Sequence, residues 1–173
     1  MAAKKAKVGR PAIPRKRLGE KERRRINRLL KVIRGFIILG TDSLKRETAL
    51  NARLIAQLKA VDSGVVNKNI EAISFIERVY RPECTVSTTS PYSLFALECK
   101  KLHDHSAKRL FKEGLAQANI YLTRSKIVAL VLYDFTSTRR YKKAFWRGNT
   151  ISGRFAARVR EQLGLYVIVR AAP

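Results

Sequence analysis

Histidine, aspartate and cysteine side chains, which bind metal ions or transfer protons, occur close together at one place in the sequence. His103, Asp104 and His105 are consecutive, and Cys99 precedes His103 by four positions. We expect a helix here, and on a helix His103 and His105 point about 200° apart, so that they would not share a metal ion. No second acidic cluster that would hold Mg²⁺ is apparent in the sequence.

Short motifs of common catalytic sites are also missing. The sequence has no GxxxxGK[ST] loop, no GxGxxG turn and no HExxH pair. Cys84 and Cys99 form no CxxC pair, and two thiolates do not complete a tetrahedral zinc site, so we interpret them as buried free thiols. The sequence therefore predicts a protein that is not an enzyme and that needs no metal or cofactor.

Positive charge is the property that stands out. The chain has 37 Lys and Arg residues against 13 Asp and Glu residues, a net charge of +24, while 46% of its residues are apolar. Such a chain repels itself when compact unless a polyanion neutralises it. Duplex DNA carries about one negative charge per 1.7 Å, so this net charge matches roughly 12 base pairs. The composition predicts a folded protein that binds a nucleic-acid backbone.

Most of this charge lies at the two ends of the chain. The first 34 residues contain 14 basic and 2 acidic residues, and residues 139–173 contain 9 basic residues and 1 acidic residue. We predict an extended basic arm over residues 1–18, a helical body over 19–138 and a basic helical C-terminal region with a short extended end over 139–173. No apolar run is long enough for a membrane span, and no secretory signal is visible.

The N-terminal arm contains the tripeptide Gly9-Arg10-Pro11, which resembles the core of AT-hook motifs. An extended basic segment of this kind can lie in a minor groove, where the arginine meets enhanced negative potential. Val8 and Ala12 stand where that motif has basic residues. A generic phosphate-binding arm is therefore favoured over an arm that reads bases.

Two further segments place cations where they could contact phosphate groups. From Lys21 to Arg34 the cations fall on helix faces other than the apolar one, and guanidinium groups bind phosphate through paired hydrogen bonds. Between residues 139 and 147, basic residues alternate with Tyr141, Phe145 and Trp146. These aromatic residues either stack on bases, as in single-strand binders, or pack against the body while the cations reach outward. The predicted nucleic-acid-binding residues are Lys4, Lys5, Lys7, Arg10, Arg15, Lys16, Arg17, Lys21, Arg23, Arg24, Arg25, Arg28, Lys31, Arg34, Arg139, Arg140, Lys142, Lys143, Arg147, Arg154 and Arg158.

The elements that would position these residues are predicted to be helices, which gives a mainly α fold. Apolar residues recur at spacings of three and four, and Ser90-Pro91 is a typical helix start. The apolar run over 123–135 fits a buried helix or a buried strand, and we favour the helix. The predicted helices cover residues 20–40, 42–64, 68–80, 90–114, 123–135 and 150–163.

The chain is thus divided into an arm over 4–17, basic helices over 20–39 and 41–60, and a body over 91–135. This organisation resembles that of the major coat proteins of filamentous and rod-shaped archaeal viruses with double-stranded DNA. The resemblance implies a virion protein that coats and condenses a genome in a helical filament, through sequence-independent phosphate contacts. Its partners would be double-stranded DNA and further coat subunits. The basic C-terminal region is an addition to that organisation.

Two other classes of protein also fit the charge. A ribosomal protein has the same size, charge and basic extensions, and its partner would be RNA. A regulator or a small enzyme acting on nucleic acid is the third class, and an enzyme would need a cleft with convergent carboxylates.

Overall fold

A five-stranded mixed β-sheet organises the chain, of which the computed structural model describes residues 18–67, 73–75, 78–87, 92–146 and 148–171. The expectation of a mainly α fold is therefore wrong. The predicted binding residues Lys4, Lys5, Lys7, Arg10, Arg15, Lys16, Arg17 and Arg147 lie outside the described residues. In chain order the elements are α1 (Glu20–Gly35), a 3-10 turn (Gly40–Ser43), α2 (Glu47–Val61), β1 (Val65–Asn67), β2 (Ile73–Phe75), β3 (Arg78–Tyr80), β4 (Cys84–Val86), β5 (Ser93–Leu102), α3 (Ala107–Tyr121), β6 (Ser125–Asp134), α4 (Arg140–Trp146), α5 (Ile151–Leu163) and β7 (Leu165–Arg170).

The strands of the sheet follow the order β1-β4-β5-β6-β7. β4 is antiparallel to both of its neighbours, whereas β5, β6 and β7 are parallel to one another. Parallel neighbours need crossover connections, which α3 supplies between β5 and β6 and α4 with α5 between β6 and β7. The C-terminal region thus belongs to the same sheet as the body, while β2 and β3 form a separate hairpin.

Burial on both faces explains why the strands were mistaken for helices. Every residue of β5 is buried, and so is every residue of β6 except Lys126, so both read as nearly continuous apolar runs without alternation. The helices predicted over 90–114 and 123–135 are wrong: the first range holds β5 and the beginning of α3, and the second holds β6. The helix predicted over 68–80 is wrong in its described part, which forms β2 and β3.

Helices cover both faces of the sheet. Helices α1 and α2 pack against one face of the sheet. Their side chains Leu30, Ile33, Leu54 and Leu58 form one apolar cluster with Cys99 of β5. The helices α3, α4 and α5 cover the other face. Both cysteines are buried free thiols, as predicted, and burial raises the pKa of the Cys84 thiol to about 12. Among the described residues, no helix combines the length and apolar character needed to cross a membrane.

Three helices predicted from periodicity, α1, α2 and α5, are confirmed. The hydroxyl of Thr150 accepts the Gly153 N–H at 2.9 Å at the start of α5, and Gly164 ends that helix with a φ of 76°. Asp42 does not cap α2 directly. Its buried carboxylate instead accepts the Leu39 N–H at 2.8 Å and pairs with Arg53 at 2.7 Å, and this network, despite burial, lowers its pKa.

The close approach of α3 to the sheet depends on Gly114. A Cβ atom at this position would lie 2.9 Å from Leu130 Cδ1 and 2.9 Å from Lys100 Cγ. We expect Gly114→Val to lower the free energy of unfolding by about 2 kcal/mol, because overpacking a buried contact has this cost. Urea denaturation measures the change. Gly35→Val is the matched control, since a Cβ there meets nothing within 4 Å; equal effects of the two substitutions would contradict the packing argument.

Candidate functional site

β4 pairs with β5 only as far as Cys84, and we call the part of the sheet where this pairing ends the notch. The last backbone bond of this pair runs from the Glu83 N–H to the Leu97 carbonyl at 2.8 Å. Pro82 precedes Glu83 and has no N–H, so it cannot extend the pairing. Further along β5, the Lys101 N–H donates instead to the Glu47 carboxylate of α2 at 2.5 Å.

Strand register gathers three charged side chains at this notch. The register ends where Cys84 pairs with Leu97, and the Glu83 N–H donates to the same Leu97 carbonyl, so Glu83 lies at the end of the pairing. Glu98 faces α3, whose Tyr121 hydrogen-bonds to it. Lys100 follows Glu98 by two positions and therefore shares that face as well. Glu98 and Lys100 thus lie on the side of the sheet that α3 covers, and Glu83 is close enough for its charge to raise the pKa of Glu98.

The Glu98–Lys100 pair at the centre of this cluster is almost completely buried. Their side chains are 3% and 11% exposed, and Lys100 Nζ lies 2.8 Å from Glu98 Oε1. Burial raises the pKa of Glu98 to about 7, against the attraction of Lys100 and with a further contribution from Glu83. Burial alone would lower the pKa of Lys100, but Glu98, Glu47 and Glu113 outweigh it and raise that pKa.

Helix α3 covers this cluster of charged side chains. Gly114 allows the helix to lie directly on Lys100, and the hydroxyl of Tyr121, two turns further on, hydrogen-bonds to Glu98. Gln117 lies between them on the same helix, and its Oε1 atom is buried without a hydrogen-bond partner in the described part of the chain. α3 thus brings the polar side chains of Gln117 and Tyr121 to the face of the sheet that holds Glu98 and Lys100.

This arrangement suits a hard divalent cation. Mg²⁺ is held in proteins by one or two carboxylates together with substrate phosphates, rather than by a complete protein cage. Glu83 and Glu98 supply two such carboxylates, and a cation between them would stabilise the ionised form of Glu98. No group of three or more His, Cys, Asp or Glu residues in the described ranges has the geometry of a metal cage. Lys100 adds a positive charge that can stabilise an oxyanion beside the cation.

The histidines singled out from the sequence lie elsewhere. β5 ends at Leu102, so His103 and His105 belong to a turn and not to a helix. Their rings stack with centroids 6.0 Å apart, and the expectation that they diverge is wrong. His103 also stacks on Phe135, at 5.9 Å, which gives its ring a packing role.

Helix α1 presents most of its predicted phosphate-binding cations to solvent. Arg25 is the exception, because it forms an ion pair with Asp62, with its Nη2 2.6 Å from Asp62 Oδ1. Arg24 pairs with Glu20 on the helix surface. The exposed cations of α1 are Lys21, Arg23, Arg24, Arg28, Lys31 and Arg34.

Tyr141 and Phe145 of the C-terminal basic segment pack against the body, which is the second of the two interpretations given above. Tyr141 and Phe145 both contact the ring of Phe111 on α3, at 5.5 Å and 5.6 Å. The cations around them remain at or near the surface: Arg140, Lys143, Arg154 and Arg158 are exposed, and Arg139 and Lys142 are half-buried.

The sequence contained a signal for the notch that the helix assignment concealed. Glu98, Cys99 and Lys100 form a Glu-x-Lys triplet, which places its two charged residues on one face of a strand and on divergent faces of a helix. Glu83 carried no local signal, because only the pairing of β4 with β5 brings it near Glu98.

Comparison with known proteins yielded no relative. The chain matches no protein-family model, no curated protein and no solved structure. The function is therefore argued from the geometry of the notch and from the charge of the surface.

The raised pKa of Glu98 predicts a pH dependence of stability. The pKa of the Glu98 carboxyl rises from 4.5 to about 7 on folding. Its protonated form therefore stabilises the folded state fully below pH 4.5, and this stabilisation is lost as the pH rises toward 7. Between these values we expect the free energy of unfolding of the wild type to fall by about 3 kcal/mol relative to Glu98→Gln, since one pKa unit corresponds to about 1.4 kcal/mol. Urea denaturation at a series of pH values measures the difference, and a constant difference would contradict the raised pKa.

Proposed function

We propose that this protein is a divalent-metal-dependent nuclease, which hydrolyses phosphodiester bonds in nucleic acid. The observation that carries the proposal is the buried ion pair of Glu98 and Lys100, with the Glu83 carboxylate close enough to raise the pKa of Glu98. Two carboxylates for a metal ion and a buried lysine beside them are the groups that phosphodiester hydrolysis needs.

Each group has a role in this reaction. Glu83 and Glu98 would hold the cation, which would supply Lewis-acid polarisation of a phosphate oxygen and of a water. In the hydrolysis, a water would lose a proton to solvent as its oxygen attacks phosphorus, the bond from phosphorus to the leaving oxygen would break, and the leaving oxygen would take up a proton from solvent. Lys100 stabilises the negative charge that develops on the phosphate. Tyr121 fixes Glu98 by its hydrogen bond.

The charge of the chain supports nucleic acid as the substrate. A net charge of +24 attracts a polyanion, and the exposed cations of α1 offer phosphate contacts that do not depend on base sequence. Because this attraction releases counterions, substrate binding should weaken steeply as salt increases. The same charge is expected for a protein that binds DNA and for one that binds RNA, so both nucleic acids are used as substrates in the cleavage assay.

The coat protein and the ribosomal protein stay predictions that account for the same cations. Neither gives a role to a buried glutamate and lysine placed beside a second carboxylate. An enzyme would need convergent carboxylates, and the proximity of Glu83 to Glu98 supports that alternative.

A cleavage assay tests the proposal. The purified full chain is incubated with linear duplex DNA, single-stranded DNA and RNA, with Mg²⁺ or Mn²⁺ and with EDTA. We expect at least one substrate to be cut, with the metal required. We expect Glu98→Gln and Lys100→Met each to lower the rate about 100-fold or more, because each removes a group that acts on the developing charge.

The control variant for this assay is Glu161→Gln, which removes a carboxylate from the exposed surface of α5 and should cleave like the wild type. Mn²⁺ binding, measured by electron paramagnetic resonance, gives a readout that does not depend on cleavage. We expect it to be lost in Glu98→Gln and retained in Glu161→Gln. A wild type that binds no Mn²⁺ and cuts no substrate, or a Glu98→Gln variant that cuts normally, would overturn the proposal.

A further inference from the structure

A cavity of about 570 Å³ lies at the β7 edge of the sheet, three strands away from β4. We call it the β7 cavity. α1, α4, α5 and β7 contribute its walls, and each of them contributes one cation. These cations are Arg34, Lys142, Arg160 and Arg170, and no acidic residue is among the described residues that line the cavity.

These cations are poorly neutralised by the protein itself. The side chains of Arg34 and Lys142 take part in no ion pair within the described residues, although the Lys142 backbone N–H donates to the Asp134 carboxylate at 2.8 Å. Arg160 lies 3.5 Å from Glu161, which is exposed, and the Nε of Arg170 donates to the Phe36 carbonyl at 2.9 Å. Burial lowers the pKa of Arg170, so this guanidinium is already partly stripped of water. Four cations around one space favour an anion inside it.

The remaining walls add features that suit a nucleotide. Phe145 and Tyr166 provide aromatic surface on which a base can stack. Gly153 belongs to the first turn of α5; its N–H is taken by the Thr150 hydroxyl, so this turn adds only the positive end of the helix dipole. Gly148 has no side chain, and a Cβ atom there would meet nothing within 4 Å, so the cavity is open at this residue.

We propose that the β7 cavity binds the phosphate group of a nucleotide, free or within a nucleic-acid strand, with the base stacked against its aromatic wall. This is a second site, separate from the notch. Val167 of the cavity is level with Glu98 in the sheet, since both pair with Leu130 of β6. The two strands are therefore about 10 Å apart, and α3 covers the sheet between the notch and the cavity.

Calorimetric titration of the Glu98→Gln variant in EDTA tests this site without hydrolysis. The probes are inorganic phosphate, thymidine 5′-monophosphate and an eight-residue oligothymidylate. We expect the mononucleotide to bind about tenfold more tightly than phosphate, because stacking of the base adds to the phosphate contacts. Competition by the oligonucleotide for the same site would identify a strand as the occupant, and failure to compete would identify a free nucleotide.

Two double variants separate the cavity from general charge. Arg34→Gln with Lys142→Gln removes two cavity cations, and we expect it to weaken mononucleotide binding about tenfold or more. Arg23→Gln with Lys143→Gln removes the same charge from exposed positions of the same two helices and should change binding less than about twofold. Urea midpoints confirm that both variants are folded.

Two results would overturn the proposal. Equal losses in the two double variants would show that binding follows net charge and not the cavity. Equal affinities for phosphate and for the mononucleotide would leave no role for the aromatic wall. A negative result in the cleavage assay does not affect this test, because the titration uses a variant that lacks the Glu98 carboxylate and a solution without metal.

Discussion

The ion pair between Glu98 and Lys100 is the interaction on which the architecture around the notch depends. Placing a carboxylate and an ammonium group in the interior is costly, and their attraction offsets this cost only with good geometry and further partners. The sheet supplies the geometry by spacing them two residues apart on one strand. Glu113 and Tyr121 of α3 supply the further partners, and Gly114 lets the helix come close enough to deliver them.

A buried pair of this kind is weak evidence for stability, because apolar residues of similar volume would pack as well or better. Its position explains its presence better. The pair lies where β4 stops pairing with β5, and the charge of a second carboxylate, Glu83, acts on Glu98 there. Groups whose pKa values are shifted by burial together with a specific charged partner concentrate at functional sites, and the notch combines both causes at Glu98.

Much of the helical part of the fold could be predicted from sequence, but the sheet could not. α1 and α5 have one apolar face each, and Thr150 and Gly164 mark the limits of α5. β5 and β6 lack alternation because helices cover both of their faces, so periodicity cannot distinguish them from buried helices. That single ambiguity concealed the shared face of Glu98 and Lys100. Glu83 joins them through a pairing between segments distant in the chain, which no local pattern records.

The edge position of β7 has a consequence for how the molecule behaves at high concentration. An edge strand offers unpaired backbone groups to which another chain can add a strand. Here Arg34, Arg160 and Arg170 stand beside that edge, and an approaching copy brings the same three cations toward them. Like charges brought together in this way oppose edge-to-edge growth of the sheet, so the cluster also protects the protein against aggregation.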